Sequence, residues 1–138
     1  MGTIKDLVNG LQDSLSKEYA AKMQYDIHAQ VVTDWYFAFS EELKAHAAEE
    51  SAHAIKLIEL IIYLGYEPTV KTLEIKIPEA NEEIIKANLD TENAAIELYN
   101  SLIKQANELG IYEAVTVLQS IIIEEMDHKN FLLSILGE

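Results

Sequence analysis

One constellation of residues occurs twice in this chain at almost the same spacing. Glu18 is followed 32 residues later by Glu50-Ser51-Ala52-His53, and Glu92 is followed 33 residues later by Glu125-Met126-Asp127-His128. Each half thus offers a lone glutamate and a Glu-x-x-His pair. Each lone glutamate is also followed seven residues on by a tyrosine, Tyr25 or Tyr99. On a helix, Glu-x-x-His sets its two donors about one turn apart on one face. Together the halves supply four carboxylates and two imidazoles, a mixed oxygen and nitrogen set suited to two metal ions.

The flanking sequence puts these donors where a carboxylate is costly. Helical periodicity runs through four segments, about 3–32, 35–64, 79–107 and 111–136. The start of the second is the least defined boundary, at Trp35 or Ser40. In the first segment Ile4, Leu11, Glu18, Tyr25 and Val32 recur at sevens; in the second, Leu43, Glu50, Leu57 and Leu64 do so, with His46 and His53 alongside. Glu92 shares a row with Ile85 and Tyr99, Glu125 with Leu118 and Leu132, and His128 with Ile121 and Ile135. All six donors therefore lie in apolar stripes. Buried carboxylates are expensive unless paired or bound to metal. Two divalent cations would neutralise four of them, which an ordinary core does not.

Connections set the topology. Thr3 with Asp6 forms a helix start, Gly65 a helix end, and Gly110 a break. The first and third links are short, so each half is an antiparallel hairpin. The middle link, Tyr66 to Pro78, holds both prolines and the alternating run Val70 to Ile77. Extended, it reaches roughly 40 Å at ~3.3 Å per residue, against about 37 Å for one of these helices. It can span the whole bundle and let the second and third helices run parallel. The expected architecture is one all-α domain over 1–138, a four-helix bundle with a long crossover between helices 2 and 3.

Composition narrows the function. The net charge of −14 argues against nucleic acid and anionic membrane, which need clustered Lys and Arg. The chain has no cysteine, which excludes disulfides, zinc ribbons and rubredoxin-type iron. No stretch approaches the ~20 apolar residues of a membrane span, and the start of the chain does not read as a signal peptide. A cytoplasmic protein is expected.

The double motif resembles the ferritin-like di-iron carboxylate proteins, which take one Glu from each of two helices and Glu-x-x-His from the other two. The likeness is strongest to bacterioferritins, whose first helix also follows its Glu with Gln-Tyr and then His-Ala, as in Glu18 to Ala29 here, and which also carry a tryptophan like Trp35. The resemblance implies a ferritin-like bundle holding two iron ions per chain, with manganese as an alternative. Glu18 and His53 would serve one ion, Glu92 and His128 the other, and Glu50 and Glu125 both. It implies a ferroxidase that oxidises Fe(II) to Fe(III) with O2 or H2O2 in iron storage or detoxification. The alternative is a rubrerythrin-like or manganese-type enzyme that consumes peroxide without storing iron. Rubrerythrins typically carry a further Glu ligand at the position of Ala95.

Two departures from the family pattern bear on assembly and cofactors. The bacterioferritin haem ligand is a Met where this chain has Ser51, so no family-type haem is expected. The chain ends ten residues after His128, where cage-forming relatives usually carry a fifth helix, so a homo-oligomer in the form of a dimer or a dodecameric shell is favoured over a 24-mer.

Other residues carry weaker expectations. Tyr25 and Tyr99 can hydrogen-bond a bridging carboxylate, supply an electron, or simply pack. His46 is either a further metal ligand or a packed ring. Glu49 is expected to face solvent and His28 a surface or subunit contact, while Asp127 can orient His53 or His128. The aromatic run Trp35, Tyr36, Phe37 and Phe39 reads as a subunit interface.

Overall fold

The computed structural model describes residues 2–138. Four helices carry the chain: α1 Ile4–Val31, α2 Ser40–Tyr63, α3 Asn81–Glu108 and α4 Tyr112–Leu136. Among the described residues there is no strand. At the start of α1 the Asp6 N–H donates to Thr3 Oγ1 at 3.1 Å and the Thr3 N–H donates to Asp6 Oδ2 at 2.9 Å, a reciprocal cap. Gly65 and Gly110 follow α2 and α3 with φ of +90° and +71°. There the backbone turns left-handed so that the Tyr66 and Ile111 N–H groups reach back to the Ile61 and Ala106 carbonyls.

The second helix begins at Ser40, not at Trp35. Asp34 has a φ of +56°, and residues Asp34–Phe39 form a 3-10 turn. The cause is the aromatic run itself. Side chains three apart eclipse one another in a 3-10 turn, so Tyr36 and Phe39 both pack onto the end of the bundle while Trp35 and Phe37 stay exposed. The four aromatics are thus divided, two capping the bundle and two facing outward.

The crossover runs along α1 in the same direction as that helix. Gln12 accepts from the Thr69 N–H at 2.7 Å and donates to the Glu67 carbonyl at 2.7 Å. Ser16 Oγ accepts from the Lys71 N–H at 2.9 Å, and Gln24 Oε1 accepts from the Lys76 N–H. At the far end Asn81 pairs with Thr33. These ties carry the chain the length of the bundle, so α2 and α3 run parallel and the two hairpins are related by an approximate two-fold axis.

His28 is one of these ties rather than a surface group. Its ring is fully buried, with Nε2 donating to the Lys76 carbonyl at 2.6 Å and Nδ1 lying 3.1 Å from Asn88 Oδ1. A crossover laid over α1 covers a face that helical periodicity alone leaves open.

The apolar core comes in two parts. One, around Leu7, Leu11, Leu57, Leu102 and Leu118, fills the end near the α1 start. The other, around Ala29, Leu43, Ile85 and Leu132, fills the opposite end. Between them lies a layer of buried polar side chains.

Candidate metal centre

All six predicted donors meet in that layer. Glu18 comes from α1, Glu50 and His53 from α2, Glu92 from α3, and Glu125 and His128 from α4. Each is at most 3 % exposed. Their donor atoms form two four-residue groups, Glu18, Glu50, His53 and Glu125, and Glu50, Glu92, Glu125 and His128, with the atoms of each group within 4.8 Å of one another. Glu50 and Glu125 belong to both.

The imidazoles point inward through Nδ1. His53 Nδ1 lies 2.8 Å from Glu125, 3.3 Å from Glu50 and 3.5 Å from Glu18. His128 Nδ1 lies 3.4 Å from Glu50 and 3.5 Å from Glu92. Their outward nitrogens are held by glutamates that neither lone-Glu nor Glu-x-x-His spacing singles out. His53 Nε2 donates to Glu124 at 3.1 Å, and His128 Nε2 donates to Glu49 at 2.5 Å. Such a bond fixes the ring and leaves Nδ1 free to donate its lone pair. Glu49 therefore turns its half-exposed carboxylate onto His128 instead of only facing solvent, and Asp127 is exposed and takes neither imidazole. A sequence signal was present: each motif is Glu-Glu-x-x-His, and the extra glutamate serves the histidine of the opposite hairpin.

The tyrosines follow the same exchange between halves. Tyr25 donates to Glu92 Oε1 at 2.7 Å and Tyr99 donates to Glu18 Oε1 at 2.6 Å. They bind the lone glutamates rather than the carboxylates shared by the two groups. Burial, reinforced by the neighbouring carboxylates, raises both phenols well above their ordinary range, so both stay protonated donors. His46 belongs to neither donor group. Its ring stacks on His128 at 4.0 Å and meets Tyr25 and Phe131 edge-on.

Electrostatics exposes the strain of this layer without a cation. Burial, with Glu18 beside it, pushes Glu50 up to about 8, and burial pushes Glu125 up to about 12. Burial opposes charge on the imidazoles, but the carboxylates outweigh it, raising His53 strongly and His128 to about 9. Nine buried side-chain atoms among the described residues lack a hydrogen-bond partner, and seven of them belong to the six donors. Unpartnered polar atoms are rare in folded proteins. Here they converge from four helices on two points, and hard cations held by carboxylate and imidazole satisfy them. The donor set therefore fits a pair of metal ions.

Comparisons with known proteins bear on the fold and the family. A family profile described as ferritin-like domain matches residues 8–138. The chain is 28% identical to a bacterioferritin of Rhodobacter capsulatus over 128 residues, covering 91% of this chain and 80% of that one. It is 30% identical to a bacterial ferritin of Neisseria meningitidis serogroup A, covering 91% and 83%. Among solved structures, a ferritin-like diiron-carboxylate protein of Bacillus anthracis superposes with a TM-score of 0.92 at 30% identity, covering 99% of each chain. A Rhodobacter capsulatus bacterioferritin, described with a metal-free dinuclear site and haem iron, gives 0.88 at 27% identity, covering 97% of this chain and 85% of that one.

Proposed function

Because the chain belongs to the ferritin family of ferritin-like domains, we propose that it is a ferroxidase that binds two Fe(II) ions within one bundle and oxidises them for storage or detoxification. The observation that carries this reading is the sharing of Glu50 and Glu125 by two four-donor groups. Glu18 and His53 would hold one ion, Glu92 and His128 the other, and the shared glutamates would bridge them.

Iron is the substrate: two Fe(II) lose two electrons in total, and O2 with two protons becomes H2O2, or H2O2 with two protons becomes two waters. The protein's part is preorganisation. Four carboxylates offset the charge of two divalent ions, Tyr25 and Tyr99 steady the terminal glutamates, and Glu49 and Glu124 keep both imidazoles aimed inward. The half-exposed Glu49 and Glu124 also place negative charge at the outer edge of the centre, where it favours an approaching cation. Self-association belongs to the same reading, with exposed Trp35 and Phe37 available as apolar contacts.

Anaerobic loading with two Fe(II) per chain, followed by O2 or H2O2, tests the proposal through ferric absorbance. Fast oxidation with continued uptake of excess iron into soluble protein supports a storing ferroxidase. Oxidation that stops at two per chain indicates a redox enzyme of the peroxide-consuming kind, and a rate no higher than buffer sinks the reading.

A further inference from the structure

We infer that the groove between α1 and α3 is a ligand chamber by which a small uncharged oxidant reaches the Glu18 side of the centre, an inference that rests on the ferroxidase reading. A cavity of about 190 Å³ lies there under the crossover. Its depth ends at the Glu18 and Glu50 carboxylates, both buried, and its rim carries the exposed Lys17, Glu74 and Ala94. It leads from solvent to the donors on the face opposite Glu49 and Glu124, which belong to α2 and α4.

The sequence builds this space deliberately. Each lone glutamate is followed by two alanines at the second and third positions, Glu18-Tyr19-Ala20-Ala21 and Glu92-Asn93-Ala94-Ala95. All four alanines line the cavity. Larger side chains at these positions would fill it. The two-fold relation of the hairpins brings the alanine pairs of α1 and α3 face to face, so a repeated motif opens a single chamber.

Chemistry selects the occupant. The walls are mainly apolar, closed above by Leu73 and Ile75. A hydrated cation would have to shed water against these apolar walls before reaching the Glu18 and Glu50 carboxylates at the floor, and at the rim Lys17 and Glu74 offset one another in charge. An uncharged molecule does not meet this dehydration penalty. Size is no obstacle, since an apolar cavity of roughly 150 Å³ already admits benzene or xenon. Hydrogen-bonding capacity is present but sparse: Ser14 Oγ, in a residue 2 % exposed, and Glu18 Oε2 both lack partners and both residues line the space. The roof is tied on either side, at Lys71 to Ser16 and at Lys76 to Gln24, leaving residues 72–75 to span the chamber.

The test uses the metal-free chain and the iron-loaded chain together. Crystals of metal-free protein under xenon should show the gas between α1 and α3, and Ala95→Leu should remove it. The same variant should still take up two Co(II) per chain, while oxidation of bound Fe(II) by O2, by H2O2 or by both slows by about tenfold or more. Ala94→Leu, at the exposed rim, repeats the test without burdening the core. Slowing with one oxidant alone assigns the chamber to that oxidant. An empty chamber in the wild type under xenon, or filled variants that keep the full rate with both oxidants, overturns the inference. A wild-type protein that takes xenon but oxidises no iron instead overturns the ferroxidase reading, and the oxidant role falls with it.

Discussion

The Tyr25 hydroxyl on α1 donates to Glu92 Oε1 on α3 at 2.7 Å, and its counterpart Tyr99 returns the contact from α3 to Glu18. Each tyrosine also belongs to one of the two apolar clusters, Tyr25 with Leu43 and Ile85, Tyr99 with Leu57 and Leu102. The pair therefore joins core to polar layer at both ends of the site. Replacing either by phenylalanine keeps the packing and leaves a buried carboxylate oxygen without its donor. Tyr25→Phe and Tyr99→Phe should each cost about 1–3 kcal/mol of stability in the metal-free protein, read from urea unfolding. A change near zero would show that the hydroxyls are not holding the glutamates.

Glu49 and Glu124 provide a more selective test. Glu124→Gln should weaken the ion held by His53, and Glu49→Gln the ion held by His128, each by about 10–100-fold. A Co(II) titration should then resolve one tight and one weakened step, with the weakened step exchanged between the two variants. Asp127→Asn, altering an exposed group, should leave both steps unchanged.

Metal binding should stabilise the fold. An ion that binds only the native state adds about 2.7 kcal/mol at 100 times its Kd. Calorimetry of the metal-free chain with added Mn(II) or Zn(II) should therefore show a raised Tm. Glu50→Ala, which removes a donor common to both groups, should abolish most of that gain. An undiminished gain would remove Glu50 from the bridging position.

His28 sets a pH dependence away from the centre. Burial lowers its pKa from the ordinary 6.5, against the raising effect of its contacts with Lys76 and Asn88. Between the folded value and 6.5 the unfolded chain thus binds more protons than the native chain, so stability rises with pH. The contribution is complete above about 6.5 and is lost as pH falls through the folded value. Unfolding midpoints of wild type and His28→Gln, compared across this range, should show a shallower loss towards acid in the variant. Parallel profiles would contradict the assignment.

The sequence was most legible where one helix face decided the answer. Glu18, Glu50, His53, Glu92, Glu125 and His128 stand out because each interrupts an apolar stripe, and the stripe alone dictates that they meet. Glu49 and Glu124 lie beside the stripe, and their partners are on the opposite hairpin, so period and spacing do not pair them. His28 escapes periodicity for a related reason: its burial comes from the crossover, an irregular segment whose path no periodicity encodes. The start of α2 depended on aromatic packing at the bundle end, which favours a 3-10 turn over a longer helix.

The central claim is that one bundle holds two ions bridged by Glu50 and Glu125. Anomalous diffraction from crystals loaded with Mn(II) or Co(II) tests it most directly. The account predicts two peaks in each chain, roughly 3.5–4 Å apart, one beside His53 Nδ1 and the other beside His128 Nδ1, with Glu50 and Glu125 touching both. A single peak, or ions bound outside this layer while these six side chains stay unligated, would contradict it.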